Sequence, residues 1–136
     1  MKPNACLALA ALALAAAAEP VRATPGDEVE VTAGVVTGLS CALAAREKGD
    51  LKLLTACPPV EATKGLVVFD VAEKRIYGIS TRKVRRSELE SAFGGGSIDF
   101  TGVEATTDPK TLVSTVDVKD YSIAKRPKPG AFKGCL

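Results

Sequence analysis

The residues best suited to covalent chemistry are three cysteines, Cys41, Cys57 and Cys135, which lie outside the apolar run that contains Cys6. Cys41 and Cys57 flank one connection between predicted strands. A bridge between them would close a loop of about 15 residues and stabilise the fold by roughly 3 kcal/mol. The sequence predicts this disulfide. An odd number of thiols leaves one over, so we expect Cys135 to be free or to pair between chains. Pairing of Cys135 with Cys41 or Cys57 is the alternative.

The same thiols could instead carry redox chemistry or bind a soft metal. Redox thiols favour a CxxC motif, which is absent, and so is the CxxCH motif for covalent haem. Zinc takes four ligands from Cys, His or carboxylate groups, and the chain has no His. The sequence therefore predicts no cofactor and no metal. A periplasmic thiol-redox or soft-metal-handling protein remains the alternative function.

Catalysis by the common side-chain pairs is not expected. Without His, the chain has neither a Ser-His-Asp triad nor the usual proton shuttle at neutral pH. Asp70, Asp99 and Asp117 lie in predicted strands, and paired carboxylates can do acid–base chemistry. Solvent-facing positions on strands explain them equally well. We therefore predict no catalytic residues and a protein that is not an enzyme.

Basic side chains form two short runs, over residues 82–86 and residues 125–133. They could bind an anionic ligand such as a lipid headgroup or a cell-wall polymer. A solvated surface, diluted by Glu88 and Glu90, is the alternative. If the domain binds a ligand, we expect the surface to include Arg75, Tyr77 and Arg82, beside the connection over residues 42–64.

The first 23 residues have the pattern of a secretory signal peptide. A basic start precedes an uncharged Ala/Leu run over residues 5–18, and the small residues Val21 and Ala23 follow. The run is shorter than the roughly 20 residues of a spanning helix. Cleavage after Ala23 predicts a mature N-terminus at Thr24, with cleavage after Ala18 as the second choice. We expect a periplasmic or secreted protein that meets the membrane only during export. Disulfides persist in these compartments.

Composition restricts the partners. The formal net charge is +2 and aromatic residues make up 4% of the chain, with no Trp. Nucleic-acid binding favours a clearly basic surface and, for single strands, exposed rings. We therefore expect no nucleic acid, and an unknown protein or an anionic polymer of the cell envelope as the partner.

The pattern of residues predicts a mostly β domain over residues 24–123, between the signal peptide over residues 1–23 and an irregular tail over residues 124–136. Alternation and β-branched residues predict five strands, over residues 28–39, 65–72, 75–80, 97–105 and 111–119, the last with a possible extension to residue 123. A capping box of Ser87 and Glu90 predicts one short helix over residues 87–93. Residues 42–54 could form another helix.

This order of elements is that of a small five-stranded OB-like barrel with one short helix. Gly34 and Gly38 interrupt the first strand, and a strand that serves two sides of a barrel must bend sharply. Another small β-barrel or a sandwich is the alternative. OB barrels commonly bind oligonucleotides or oligosaccharides across strands 2 and 3, although the fold alone does not assign a ligand.

Several short segments carry a resemblance to a family of small exported bacterial domains of uncharacterised function. They are Gly34-Val35-Val36-Thr37 followed by Cys41 and Cys57, then Gly65-Leu66-Val67-Val68, Ile76-Tyr77-Gly78-Ile79 and Phe100-Thr101-Gly102. The chain resembles this family over roughly residues 30–123. It departs from the family pattern at Val35, where the family has Trp, at Thr37, where it has Asp, and in lacking its frequent His. The resemblance implies an OB-like barrel and no particular activity. We expect an exported, non-enzymatic binding or structural module.

Overall fold

The computed structural model describes residues 26–127. The predicted signal peptide and Cys135 lie outside the described residues. Five strands form a closed barrel, in which β1 pairs with β2, β2 with β3, β3 with β5, β5 with β4, and β4 with β1. Only the β3–β5 pairing is parallel. The strands are β1 (Glu28–Gly38), β2 (Leu66–Asp70), β3 (Arg75–Ile79), β4 (Ser97–Thr107) and β5 (Ser114–Ala124). The predicted mostly β, five-stranded OB-like barrel is confirmed.

The helices are more numerous than the sequence predicts. The connection between β1 and β2 holds α1 (Leu39–Lys48), α2 (Lys52–Thr55) and α3 (Pro59–Lys64), and α4 (Arg86–Ala92) lies between β3 and β4. The predicted capping box of α4 is wrong. Arg85 is the N-cap, and no side chain caps the helix. Ser87 is therefore already inside the first turn, where its hydroxyl cannot act as the cap.

Strand β1 changes the face it turns to the barrel interior halfway along its length. Its pairing with β4 is irregular between Val31 and Gly34, and Ala33 has a φ of 54°. A Cβ at Gly34 would lie 2.4 Å from Cγ1 of Val68, so the bend requires glycine there. This β-bulge reverses the alternation. Val31 faces the interior before it, and Val36 faces the interior after it.

Inward-facing apolar side chains of all five strands fill the barrel, and α4 closes one end. Its Leu89 and Ala92, with the following Phe93, belong to the same buried cluster as Phe100 and Val116. The residue after them, Gly94, has a φ of 85° and redirects the chain towards β4. The other end of the barrel is therefore the one that remains open.

A second apolar layer lies outside the barrel, between β2–β3 and the helices. Phe69 and Ile76 pack there against Ala42, Ala45 and Leu54. Phe69 and Phe100 are both buried, at 1% and 2% exposed. They nevertheless belong to different layers. The outer face of strands 2 and 3, which OB barrels commonly use for ligands, is here covered by α1 and α2.

The predicted disulfide is present, with the sulfur atoms of Cys41 and Cys57 at bonding distance, 2.11 Å. Cys41 lies in the first turn of α1, and Cys57 lies between α2 and α3. Cys57 is buried, and Cys41 packs against the same cluster. The bond therefore fastens the helical connection to the end of β1 and restricts the helices that cover β2 and β3.

We expect the double substitution Cys41→Ala, Cys57→Ala to lower the free energy of unfolding by about 3 kcal/mol, because it frees a closed loop of the unfolded chain. Urea unfolding of both proteins measures the difference. Cys135→Ala is the matched control and should leave the unfolding curve unchanged. Recovery of Cys41 and Cys57 as free thiols from protein never exposed to reductant would contradict the disulfide.

The described chain enters and leaves the barrel at opposite ends. The Gly26 amide donates to the Glu104 carbonyl near the open end, and the Arg126 amide donates to the Ser91 carbonyl beside α4. In residues 26–127, no helix has the length and apolar character needed to cross a membrane.

Candidate functional site

Polar side chains occupy the inward-facing positions at the open end of the barrel. Strand alternation places Glu104 of β4 and Ser114 of β5 towards the interior, and both are buried. Arg75 of β3 and Thr107 of β4 contact them. These four residues, the polar layer, replace the apolar contacts that fill the rest of the barrel.

The side chains of the polar layer form one chain of hydrogen bonds, which begins at Arg75 and ends at Glu104. Arg75 donates an N–H to Ser114 Oγ at 3.2 Å, and Thr107 Oγ1 donates to Glu104 Oε1 at 2.5 Å. Ser114 and Thr107 are joined at 3.0 Å. Because Thr107 has used its one proton on Glu104, Ser114 must donate to Thr107. In this arrangement Glu104 acts only as a hydrogen-bond acceptor.

Glu104 and Arg75 also form an ion pair, with 3.6 Å between Arg75 Nη2 and Glu104 Oε1. The glutamate side chain is fully buried, whereas the arginine side chain is 27% exposed. Glu104 Oε2 is buried without a hydrogen-bond partner among the described residues. A buried carboxylate needs a cation nearby to offset its lost hydration. Arg75 is therefore the cation that offsets the lost hydration of the Glu104 carboxylate, and part of its own side chain remains exposed to solvent.

Tyr77 supports Arg75 from below. The guanidinium carbon lies 5.2 Å from the centroid of the Tyr77 ring, a cation–π arrangement. The Tyr77 ring meets Phe100 edge to face, with centroids 6.0 Å apart. Burial raises the pKa of the Tyr77 phenol above its usual value, although the positive charge of Arg75 acts in the opposite direction.

The raised pKa of Tyr77 predicts how stability changes at high pH. Because the folded state holds the phenol proton more tightly than the unfolded state, this contribution is complete below pH about 10 and is lost as pH rises through the folded-state pKa. The chain has 2 tyrosines. Tyrosinate absorbance of the Tyr121→Phe variant therefore reports Tyr77 alone. We expect its midpoint above that of the unfolded protein, and an equal or lower midpoint would contradict the burial.

A cleft of about 790 Å³ opens above the polar layer, and we call it the mouth cleft. Its walls come from the start of β1, the β2–β3 turn, the β4–β5 loop and one residue of α1. The lining residues are Asp27, Glu28, Val29, Glu30, Arg46, Asp70, Glu73, Lys74, Arg75, Tyr77, Thr107, Pro109 and Leu112. Leu112 is 57% exposed. The cleft thus combines a fixed polar floor, carboxylates on its rim and an exposed apolar side chain.

The structure brings together two of the three residues predicted for a ligand surface. Arg75 and Tyr77 are in contact in the mouth cleft. Arg82 lines a separate depression with Ser80, Lys83 and Asp117. Of the helical connection between β1 and β2, only Arg46 of α1 reaches the mouth cleft.

The basic run over residues 82–86 has structural contacts of its own. Arg86 pairs with Glu90 at 2.9 Å and donates to the Ala62 carbonyl of α3 at 2.7 Å. Lys83 donates to the Lys119 carbonyl of β5. These contacts join α4 to α3 and the preceding turn to β5, so part of the run serves packing rather than a ligand.

The three strand aspartates have separate surroundings. Asp70 lines the mouth cleft and accepts from the Ala72 amide at 3.1 Å. Asp99 accepts from the Ala33 amide at 2.6 Å, and Asp117 lies in the depression beside Arg82. Within residues 26–127, no group of three His, Cys, Asp or Glu side chains is placed to hold a metal ion.

Sequence reasoning missed Glu104, Thr107, Ser114 and the rim of the mouth cleft. The signal for Glu104 was present in the alternation of β4, because Ile98, Phe100 and Glu104 all occupy even-numbered, inward positions. A carboxylate in the inward phase of a barrel strand predicts a buried polar group. The contacts of Thr107 and Ser114 depend on the path of the β4–β5 loop, which has no comparable signal.

Fold and site together define a small OB-like barrel domain with a ligand-sized cleft at its open end. Comparison of the chain with known protein families, curated proteins and solved structures gives no significant match.

Proposed function

We propose that this protein is an exported, non-enzymatic module that binds a partner of the cell envelope in the mouth cleft. The observation that carries the proposal is a concave site whose floor is fixed before any ligand arrives. Ser114, Glu104 and the Tyr77 ring all hold Arg75 in place. A preorganised site loses little conformational entropy on binding. Its volume also falls in the roughly 300–1,000 Å³ range of ligand pockets.

The charges of the cleft favour a protein partner over an anionic polymer. Its carboxylates outnumber its cationic groups, and Arg75 is already paired with Glu104. An anionic polymer would meet the rim carboxylates Glu28 and Glu30. The exposed Leu112 offers apolar contact that a protein side chain can use.

Among the described residues, the thiol-redox alternative would rest on the Cys41–Cys57 bond. That bond packs against the barrel core and fastens the helical connection. A structural crosslink accounts for this placement, so we prefer the binding function.

Photo-crosslinking in cells tests the proposed function. A photo-reactive amino acid replaces Leu112 in the mouth cleft or, as the matched control, Val60 on α3. The two side chains are 57% and 58% exposed. We expect one discrete crosslinked product from position 112 and none from position 60. Equal products at both positions, or none at either, would overturn the assignment of the mouth cleft as the binding site.

A further inference from the structure

The first half of β1 is hydrogen-bonded to a neighbouring strand on one side only. Pairing with β4 covers Glu28–Val31 and resumes at Gly34, while pairing with β2 begins at Val35 and runs to Gly38. In an antiparallel ladder, the backbone groups of alternate residues point away from the paired strand. Between Glu28 and Gly34, no other strand of residues 26–127 pairs with those outward groups. This segment, the free edge, is an open strand edge within a closed barrel.

The mouth cleft runs along the free edge. Glu28, Val29 and Glu30 form one wall. The β2–β3 turn forms the opposite wall. The β2–β3 hairpin is shorter than β1 and pairs only with its second half, from Val35 to Gly38. The mouth cleft and the free edge therefore belong to the same opening, which lies where β1 and the β2–β3 hairpin separate.

We propose that the mouth cleft binds an extended, basic segment of a partner protein, which adds to the free edge of β1 as an extra strand. This inference rests on the proposed function and names its ligand class. Strand addition supplies main-chain hydrogen bonds for affinity, while side-chain contacts supply specificity. Oligosaccharides and lipid headgroups have no backbone of amide groups at the spacing of a β-strand with which to pair a strand edge.

The charge of the rim specifies a basic segment. Glu28 and Glu30 are exposed on alternate positions of the free edge. Asp70 and Glu73 lie on the facing wall with Lys74, and the carboxylates lining the cleft outnumber its cations. Lys or Arg side chains at alternate positions of an added strand would meet the two β1 glutamates. A second copy of the same edge would instead bring like charges together, which disfavours pairing between copies of this chain.

An exposed apolar residue of the cleft, Leu112, can contact the side chains of the segment that lie between its basic residues. Leu112, in the β4–β5 loop, is exposed and lines the cleft, as does Pro109. An alternating basic and apolar strand therefore matches both the rim and the far wall. The ligand class is an extended peptide with Lys or Arg at every second position.

Synthetic peptides and the full chain test this inference. The probe is a peptide of about six residues, a typical strand length, with alternating Lys and Val. A Glu/Val peptide controls for charge, and a Lys/Val peptide interrupted by Pro controls for strand pairing. We expect the Lys/Val peptide to bind about tenfold more tightly than either control. We also expect it to slow hydrogen exchange of the outward-pointing amides between Glu28 and Gly34.

Charge reversal supplies the matched variants. Glu28→Lys with Glu30→Lys should weaken binding of the Lys/Val peptide and strengthen binding of the Glu/Val peptide. Glu47→Lys, at an exposed position of α1 outside the cleft, should change neither. The inference would be overturned if the Pro-interrupted peptide bound as tightly as the Lys/Val peptide. It would also be overturned if the charge-reversed variant still preferred the Lys/Val peptide, or if the peptide protected amides elsewhere than between Glu28 and Gly34.

Two further outcomes have defined meanings. Slow exchange of the outward-pointing amides of the free edge in the protein alone would show that this chain or a second copy already occupies the edge, and would overturn the inference. Crosslinking from position 112 in cells without strand pairing by the peptides would also overturn it, but would leave the proposed function standing.

Discussion

Replacement of Arg75 by Met is expected to lower the free energy of unfolding by about 3 kcal/mol, the low end of the roughly 3–5 kcal/mol for breaking a buried ion pair. The substitution keeps much of the aliphatic stem and removes the charge. Among residues 26–127, no other cation then lies within ion-pair distance of the fully buried Glu104 carboxylate. We choose the low end because the Arg75 side chain is 27% exposed, so water screens part of the interaction.

Urea unfolding of three variants separates the ion pair from simple loss of packing. Lys74→Met, next to Arg75 in the exposed turn, is the matched control and should change stability by less than about 0.5 kcal/mol. Arg75→Met combined with Glu104→Leu should recover most of the loss, because no buried charge remains. A double variant as unstable as Arg75→Met alone would contradict the electrostatic explanation.

Replacement of Phe69 by Ala is expected to lower the free energy of unfolding by about 3–5 kcal/mol. Phe69 is 1% exposed and fills the layer between β2 and the helices. A loss of this size is a large share of the 5–15 kcal/mol or so that typically stabilises a domain. Phe100→Ala should cost a similar amount from inside the barrel. Val60→Ala, at an exposed position on α3, should cost less than about 0.5 kcal/mol.

Hydrogen exchange distinguishes the two phenylalanines. Phe69→Ala should accelerate amide exchange in α1 and α2 more than in β4 and β5, because the helices lose their packing against the sheet. Phe100→Ala should accelerate exchange throughout the barrel. Identical exchange patterns in the two variants would contradict the division of the core into two layers.

The sequence predicted those parts of the fold that depend on neighbouring residues. β-Branched and aromatic residues on either side of a short turn located the β2–β3 hairpin, and Gly34 marked the bend of β1. The start of β5 was predicted too early. Residues 111–113 belong to a turn in which the Leu112 amide donates to the Asp108 carbonyl, and Leu112 has a φ of 58°. A β-propensity pattern does not report a hydrogen bond that closes a loop.

The layer of Phe69 and the polar layer depend on contacts between distant segments. Alternation shows that Val68 and Phe69 face opposite sides, but it does not show which side the helices of residues 39–64 cover. The ion pair of Arg75 and Glu104 joins β3 and β4, two strands that are not hydrogen-bonded to each other in the barrel. Its existence requires the barrel order, in which β5 lies between β3 and β4. The candidate site could therefore be predicted only in part, through Arg75 and Tyr77.

The positions at which the chain enters and leaves the barrel determine how the domain responds to mechanical load. Glu28 begins β1 at the open end, and Ala124 ends β5 beside α4, with β4 paired between them. A force that separates residues 26 and 127 pulls β1 and β5 in opposite directions along β4. The ladder hydrogen bonds then share the load in shear and do not open one after another. Forced unfolding, which the unfolding rate governs, should be slower in this direction than under a force that peels β1 sideways from β4.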